Sequence, residues 1–289
     1  MVLSKLLAIV DGTPASERAL SAALSLGQAF ACRVDALHVE VDPEASIPIL
    51  GDGMSGAVVS QMIDSLRETS AKRREQASQI FDALCTRPGL AVVEPSQALK
   101  QGEFGVSFTH VVGVEADEIS IRGVLADLTI LARPEIDSDL DLSQSLDAAI
   151  FDTGRPVLLI PTEPPAQLLK TVAIAWNGSR ESARAVAIAL PVLKQAEKVV
   201  VITARESAVK AGPSELTNYL AGHGVEAKTW AFTPGEDSIG NSILIEASKA
   251  NADMLVMGAY GHSRFREMIL GGATRSVVND AQIPVFLAH

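Results

Sequence analysis

The sequence predicts an α/β protein of two doubly wound domains, each built on a five-stranded parallel sheet. Three observations predict it. The chain has 289 residues, enough for two domains at roughly 100–200 residues each. Its opening segment recurs, because Val10-Asp11-Gly12-Thr13-Pro14-Ala15-Ser16-Glu17-Arg18-Ala19 aligns with Trp176-Asn177-Gly178-Ser179-Arg180-Glu181-Ser182-Ala183-Arg184-Ala185 at an offset of 166. In both halves, short β-branched runs alternate with helical stretches, the pattern of a parallel sheet covered by helices.

Taken in order, the first half places strands near 4–10, 33–41, 107–113, 126–132 and 156–160. Its middle carries about 40 extra residues, since Asp127 to Ala132 aligns with Asp253 to Gly258 at an offset of only 126. That insertion reads mostly as one helix. Val58, Met62, Ile63 and Leu66, followed by Ala77, Ile80, Phe81 and Leu84, are spaced for a single apolar stripe, and Pro88-Gly89 stops it. Pro161 to Pro165 reads as a linker, which sets the domains at 1–161 and 166–289. The second half places strands near 171–176, 198–203, 226–232, 253–258 and 284–288. Helices fall at 179–195, 213–222, 237–250 and 271–281, several opened by Ser or Asp able to cap free N–H groups.

Composition removes whole classes of function. Hydrophobic residues make up 47% and charged residues 20%, a globular balance rather than a disordered one. Aromatics are only 4%, which leaves little for stacking nucleic acid bases. The net charge of −11 repels a phosphate backbone, so nucleic acid is not expected as a partner. Cys32 and Cys85 have no metal-ligand spacing and are too few for a disulfide scaffold. A reducing cytoplasm fits, and with no long apolar run the expectation is a soluble protein without membrane contact. The scattered histidines His38, His110, His223 and His289 offer no metal motif. Neither a GxSxG elbow nor a P-loop occurs.

Charge divides unevenly. Residues 1–165 carry 12 Lys plus Arg against 24 Asp plus Glu, and residues 166–289 carry 12 against 11. An anionic ligand should therefore prefer the second half. There, strand 253–258 runs into Gly258-Ala259-Tyr260-Gly261-His262-Ser263-Arg264 and on to Gly271-Gly272-Ala273-Thr274. Ligands of open α/β sheets sit beyond the carboxyl ends of strands. Gly258 and Gly261 can take positive φ and admit a ligand close to the backbone, and the helix opened by Gly271-Gly272 presents free N–H groups to a phosphate. Asn177 admits two readings, as a ligand contact or as a helix-capping residue. The GxGxxG match at Gly51 to Gly56 does not follow the first strand of a βαβ unit, and a loop is the simpler reading.

Glycine, two residues, glycine, nine residues, glycine, at Gly258, Gly261 and Gly271, together with Trp176-Asn177-Gly178-Ser179 and Ile283-Pro284-Val285, resembles the universal stress protein family in a tandem, two-domain form. The resemblance implies the adenine-nucleotide alpha-hydrolase-like fold and an adenine nucleotide, ATP or AMP, in the second domain. Its site residues would be Asn177, Gly178, Thr203, Met257, Gly258, Gly261, His262, Ser263, Arg264, Gly271, Gly272, Ala273 and Thr274. Gly272 stands where the family's nucleotide binders carry Ser or Thr. The first half keeps Asp11 but has Ala132-Arg133-Pro134 in place of the glycine loop, so it reads as degenerate. The resemblance further implies a cytoplasmic stress-response role, with no catalytic residue identified and at most slow ATP hydrolysis. It also implies antiparallel pairing of 156–160 with 284–288 in an internal pseudo-dimer, and a homodimer built from other surfaces. The rival expectation is a stress-associated interaction protein that binds no nucleotide.

Overall fold

The computed structural model describes residues 2–42, 56–86, 90–133, 142–205, 211–235, 238–259 and 272–289. Two compact units are present, Ser4–Thr153 and Gly154–His289, the latter including Val2 and Leu3. No helix among the described residues is long and apolar enough to cross a membrane.

The first unit runs β1 (Lys5–Ile9), α1 (Pro14–Phe30), β2 (Arg33–Val41), α2 (Gly56–Cys85), β3 (Gly105–Gly113), α3 (Glu115–Gly123), β4 (Leu128–Ala132) and α4 (Leu142–Phe151). Its strands lie in the order β3-β2-β1-β4, all parallel, with Leu6 opposite both Val34 and Leu128. Strands buried on both faces need continuous apolar runs. Leu6, Leu37, Leu128 and Ile130 accordingly lie fully buried. Thr13 caps α1 by accepting from Ser16 N–H, with Pro14 in the first turn, and the helix ends on Ala31 in the left-handed conformation.

Helix α2 is the inserted helix, and only part of its predicted stripe is core. Ala77, Phe81 and Leu84 are buried, whereas Val58 is 44% exposed. Length explains the difference. Thirty residues of helix span about 45 Å, while the nine-residue strands β2 and β3 span about 30 Å. Phe81 packs on Phe108 of β3 with ring centroids 5.1 Å apart. Gly51 to Ser55 of the GxGxxG match, Pro88-Gly89 and Pro134 lie outside the described residues. Asp117 falls in the first turn of α3, where a carboxylate complements the helix dipole.

The second unit runs β5 (Val157–Ile160), β6 (Thr171–Ala175), α5 (Arg180–Gln195), β7 (Lys198–Ala204), α6 (Pro213–Gly222), β8 (Ala227–Phe232), α7 (Ile239–Lys249), β9 (Met254–Gly258), α8 (Gly272–Asp280) and β10 (Val285–Ala288). The strand order is β5-β10-β9-β6-β7-β8. Every pair is parallel except β5 with β10, which is antiparallel with Phe286 opposite Leu158. Both residues are fully buried. Pairing with β10 draws β5 into this unit, so Pro161 to Pro165 lies within it as irregular chain between β5 and β6. Ser179 and Ser238 cap α5 and α7 as Ser-led starts predict, while α6 opens on Pro213 without a side-chain cap.

Candidate functional site

In the second unit the chain leaves β6 toward β7 on one side, and β9 lies on the other, so the strand order reverses between β6 and β9. A crevice at such a reversal, beyond the carboxyl ends of the strands, is where open α/β sheets bind ligands. Asn177, Gly178, Thr203, Met257 and Gly258 all stand at these carboxyl ends. Gly272, Ala273 and Thr274 form the first turn of α8. Gly261, His262, Ser263, Arg264 and Gly271 lie outside the described residues.

The turn after β6 is built from its own side chains. Trp176 is buried and its indole N–H donates to the Ala211 carbonyl at 2.9 Å. Asn177 Oδ1 accepts from Ser179 N–H at 3.1 Å, Gly178 takes a φ of 68°, and Ser179 Oγ accepts from Ser182 N–H at 3.1 Å. The same turn follows β1. Asp11 Oδ1 accepts from Thr13 N–H at 2.8 Å and Thr13 Oγ at 2.6 Å, and Gly12 takes a φ of 85°. Asx turns of this kind redirect a strand into a helix. The repeat between the halves thus encodes a strand-to-helix turn, with Ser179 rather than Asn177 as the helix cap. The Asn177 amide nitrogen, exposed, has no hydrogen bond among the described residues.

Thr203, near the end of β7, is 5% exposed, and its buried hydroxyl has no hydrogen-bond partner among the described residues. Such a group costs about 1–3 kcal/mol unless something pairs with it. Met257 is buried in β9. Gly258 does not take a positive φ. A Cβ there would stand 2.5 Å from Glu181 C and Ser182 N, so this glycine lets the strand end meet the first turn of α5. Ala273 plays a similar part in helix packing. A Cβ on Gly240 of α7 would stand 2.6 Å from the Ala273 carbonyl oxygen. Thr274 is buried.

The first unit handles its equivalent strand ends differently. A Cβ on Gly12 would collide with the backbone carbonyl of Arg73, which places α2 directly over the turn after β1.

Sequence reasoning aligned one further pair without assigning it a role. Asp127 Oδ2 accepts from Ser4 N–H at 2.7 Å and Lys5 N–H at 3.1 Å, and Asp253 Oδ2 accepts from Thr171 N–H at 2.7 Å. Each closes the amino end of its central strand, so the pair is structural. Burial pushes the Asp253 carboxyl above its ordinary range, against the backbone N–H groups of Thr171 and Lys170. Among the described residues, no group of three His, Cys, Asp or Glu side chains is placed to hold a metal ion.

Fold and topology together define a doubly wound α/β protein whose strand order reverses between β6 and β9. Residues 169–289 match the model of the universal stress protein family, and the chain as a whole resembles a tandem-domain universal stress protein. A universal stress protein from Archaeoglobus fulgidus superposes with a TM-score of 0.67 at 18% identity, covering 98% of this chain and 97% of that one. A functionally unknown protein from Pseudomonas aeruginosa gives 0.58 at 14% identity, covering 99% and 92%. A universal stress protein solved in complex with cAMP covers 43% of this chain and 99% of its own, at 20% identity and a TM-score of 0.34. No curated protein matches the sequence. At these identities the structural likeness is one of fold.

Proposed function

We propose that the second repeat, residues 166–289, binds an adenine nucleotide, ATP or AMP, in the crevice between β6 and β9, and that the chain serves a cytoplasmic stress response. The single observation that carries this reading is the buried Thr203 hydroxyl at the carboxyl end of β7, which has no hydrogen-bond partner among the described residues. A ribose or base in the crevice supplies one. Asn177 contributes its free amide nitrogen, and the first turn of α8 contributes backbone N–H groups to phosphate. Gly261, His262, Ser263, Arg264 and Gly271 complete the set as phosphate-side contacts. The first repeat, residues 1–161, is degenerate for this ligand, with α2 over the turn that would face it.

One observation favours a second reading, an interaction protein without nucleotide. Gly258 and Asn177 Oδ1 are both occupied by local packing and turn formation, which removes two of the signals for a ligand.

Mass spectrometry of small molecules released from gently purified, denatured full-length protein separates the readings, with titration by ATP and AMP alongside. An adenine nucleotide released in stoichiometric amount, or saturable binding on titration, is the expected result. A clean absence in both measurements overturns the proposal.

A further inference from the structure

At the carboxyl ends of β1 and β2 the first unit holds a half-open cavity of about 150 Å³, lined by Asp11, His38, Glu40, Arg73, Glu115 and Ser145 among others. Ligand pockets for nucleotide-sized molecules run to roughly 300–1,000 Å³, so this one is too small for the second unit's proposed ligand. A cavity of this volume takes about six non-hydrogen atoms, as one benzene does in an engineered apolar case. Here the walls are polar.

On the walls the carboxyl groups of Asp11, Glu40 and Glu115 outnumber the one cationic side chain, Arg73. His38 is 2% exposed. Its Nδ1 lies 2.7 Å from the Val10 carbonyl oxygen, which can only accept, so Nδ1 carries the proton and Nε2 is an acceptor. That Nε2 is buried and has no hydrogen-bond partner among the described residues. Burial lowers the His38 pKa and keeps the ring neutral. Asp11 has Oδ1 committed to Thr13, leaving Oδ2 available. Glu115 accepts from Ser145 Oγ at 2.6 Å, so that hydroxyl is spent. Glu40 is answered by Arg74 at 3.2 Å and His110 at 2.7 Å. Of the ionisable and imidazole groups, two carboxyl groups and one imidazole acceptor remain, facing the guanidinium of Arg73, with the uncharged Ser70 and Gln144 side chains completing the polar wall. An anion would meet carboxylates, and the described residues offer no three-ligand metal cluster.

We propose that this cavity is a binding site for a small organic ammonium compound of about four to six non-hydrogen atoms, held by Asp11, Glu115 and His38. The site is independent of the nucleotide reading, since it lies wholly within the first unit. Charge balance explains the exchange it performs. Burial raises the Glu115 pKa to about 7, opposed by the Ser145 hydrogen bond, with Asp11 raising it further and Arg73 lowering it. Below about pH 7 Glu115 therefore carries a proton in the empty cavity, beside the Arg73 guanidinium. A bound ammonium takes the place of that proton, and Glu115 ionises to meet it. The groups facing Glu115 are Asp11 beyond β1, His38 and Glu40 of β2, Arg73 of α2, and Ser145 of α4.

Calorimetric titration of the full-length protein with ethanolamine, at pH 6 and pH 8 and in two buffers of different ionisation enthalpy, tests this. Expected are one-to-one saturable binding, affinity about tenfold tighter at pH 8 for a single competing proton of pKa near 7, and proton release at pH 6. Glu115→Gln should remove the pH dependence and weaken binding at pH 8 at least about tenfold, while a fluorescent ATP analogue is not displaced by ethanolamine. No saturable binding at either pH, or a wild-type affinity independent of pH, overturns the proposal even if the variant fails to fold. Displacement of the ATP analogue would equally overturn it, by moving the ethanolamine site to the second unit.

Discussion

Gly12 and Arg73 meet backbone to backbone: the carbonyl of Arg73, midway along α2, covers the turn after β1 so closely that no side chain fits beneath it. The contact joins two features of the sequence that look unrelated, an aspartate-glycine turn and a long inserted helix. It also gives the two repeats different surfaces at equivalent strand ends.

Gly12→Ala should therefore destabilise the first unit by at least about 2 kcal/mol, combining strain at a φ of 85° with a backbone clash. Urea unfolding is the measurement, with Gly154→Ala as the comparison. Gly154 also has a positive φ, of 63°, but open space around it, so its cost should be the smaller. Equal losses at the two sites would remove the packing role given to α2.

For Gly258 the crowding comes from α5 rather than from a ligand. Gly258→Ala should cost about 1–3 kcal/mol in unfolding free energy before any nucleotide is added. Gly222→Ala, at the end of α6 with nothing within 4 Å, should be neutral or stabilising by up to about 1 kcal/mol. A fully stable Gly258→Ala that loses only ligand binding would contradict the packing assignment.

The Glu115 carboxyl gives stability a pH dependence of definite sign. Its folded-state pKa of about 7 lies above the ordinary 4.5, so the folded state holds a proton that the unfolded chain releases. Stability then falls as pH rises from about 4.5 to 7 and stays reduced above that. The gap corresponds to a penalty of roughly 3 kcal/mol. Glu115→Gln, which keeps an acceptor for Ser145, should be more stable than the parent protein at pH 8 and similar at pH 4.5. Denaturant midpoints at the two pH values decide it, and a variant no more stable at pH 8 would refute the assignment.

The ten strands were legible as apolar β-branched runs, and recurrence at offsets of 166 and 126 agreed for the ends of β1 and β6 and for β4 with β9. The partner of Val285 to Ala288 came from the family resemblance rather than from its own residues, and it pairs antiparallel with β5 as that resemblance implied. Other properties depend on tertiary contacts that periodicity does not encode. The stripe from Val58 to Leu84 predicts a helix but not that its first turns overhang the strands it covers. Gly258 reads the same whether a ligand or the first turn of α5 presses on it. Asp127 and Asp253 align in the repeat, but a carboxylate before a strand does not announce which N–H groups it will accept from. The cavity around His38 and Glu115 gathers residues 11 to 145 from four helices and strands, with no spacing motif to mark it.

Photo-crosslinking the full-length protein with an azido-ATP analogue and mapping the modified peptides shows whether nucleotide is held by the second repeat alone. Saturable labelling, competed by unlabelled ATP or AMP, is expected on peptides containing 177–203 and 257–274. Labelling competed in the same way but concentrated within residues 4–153, or no competable labelling anywhere, would contradict it.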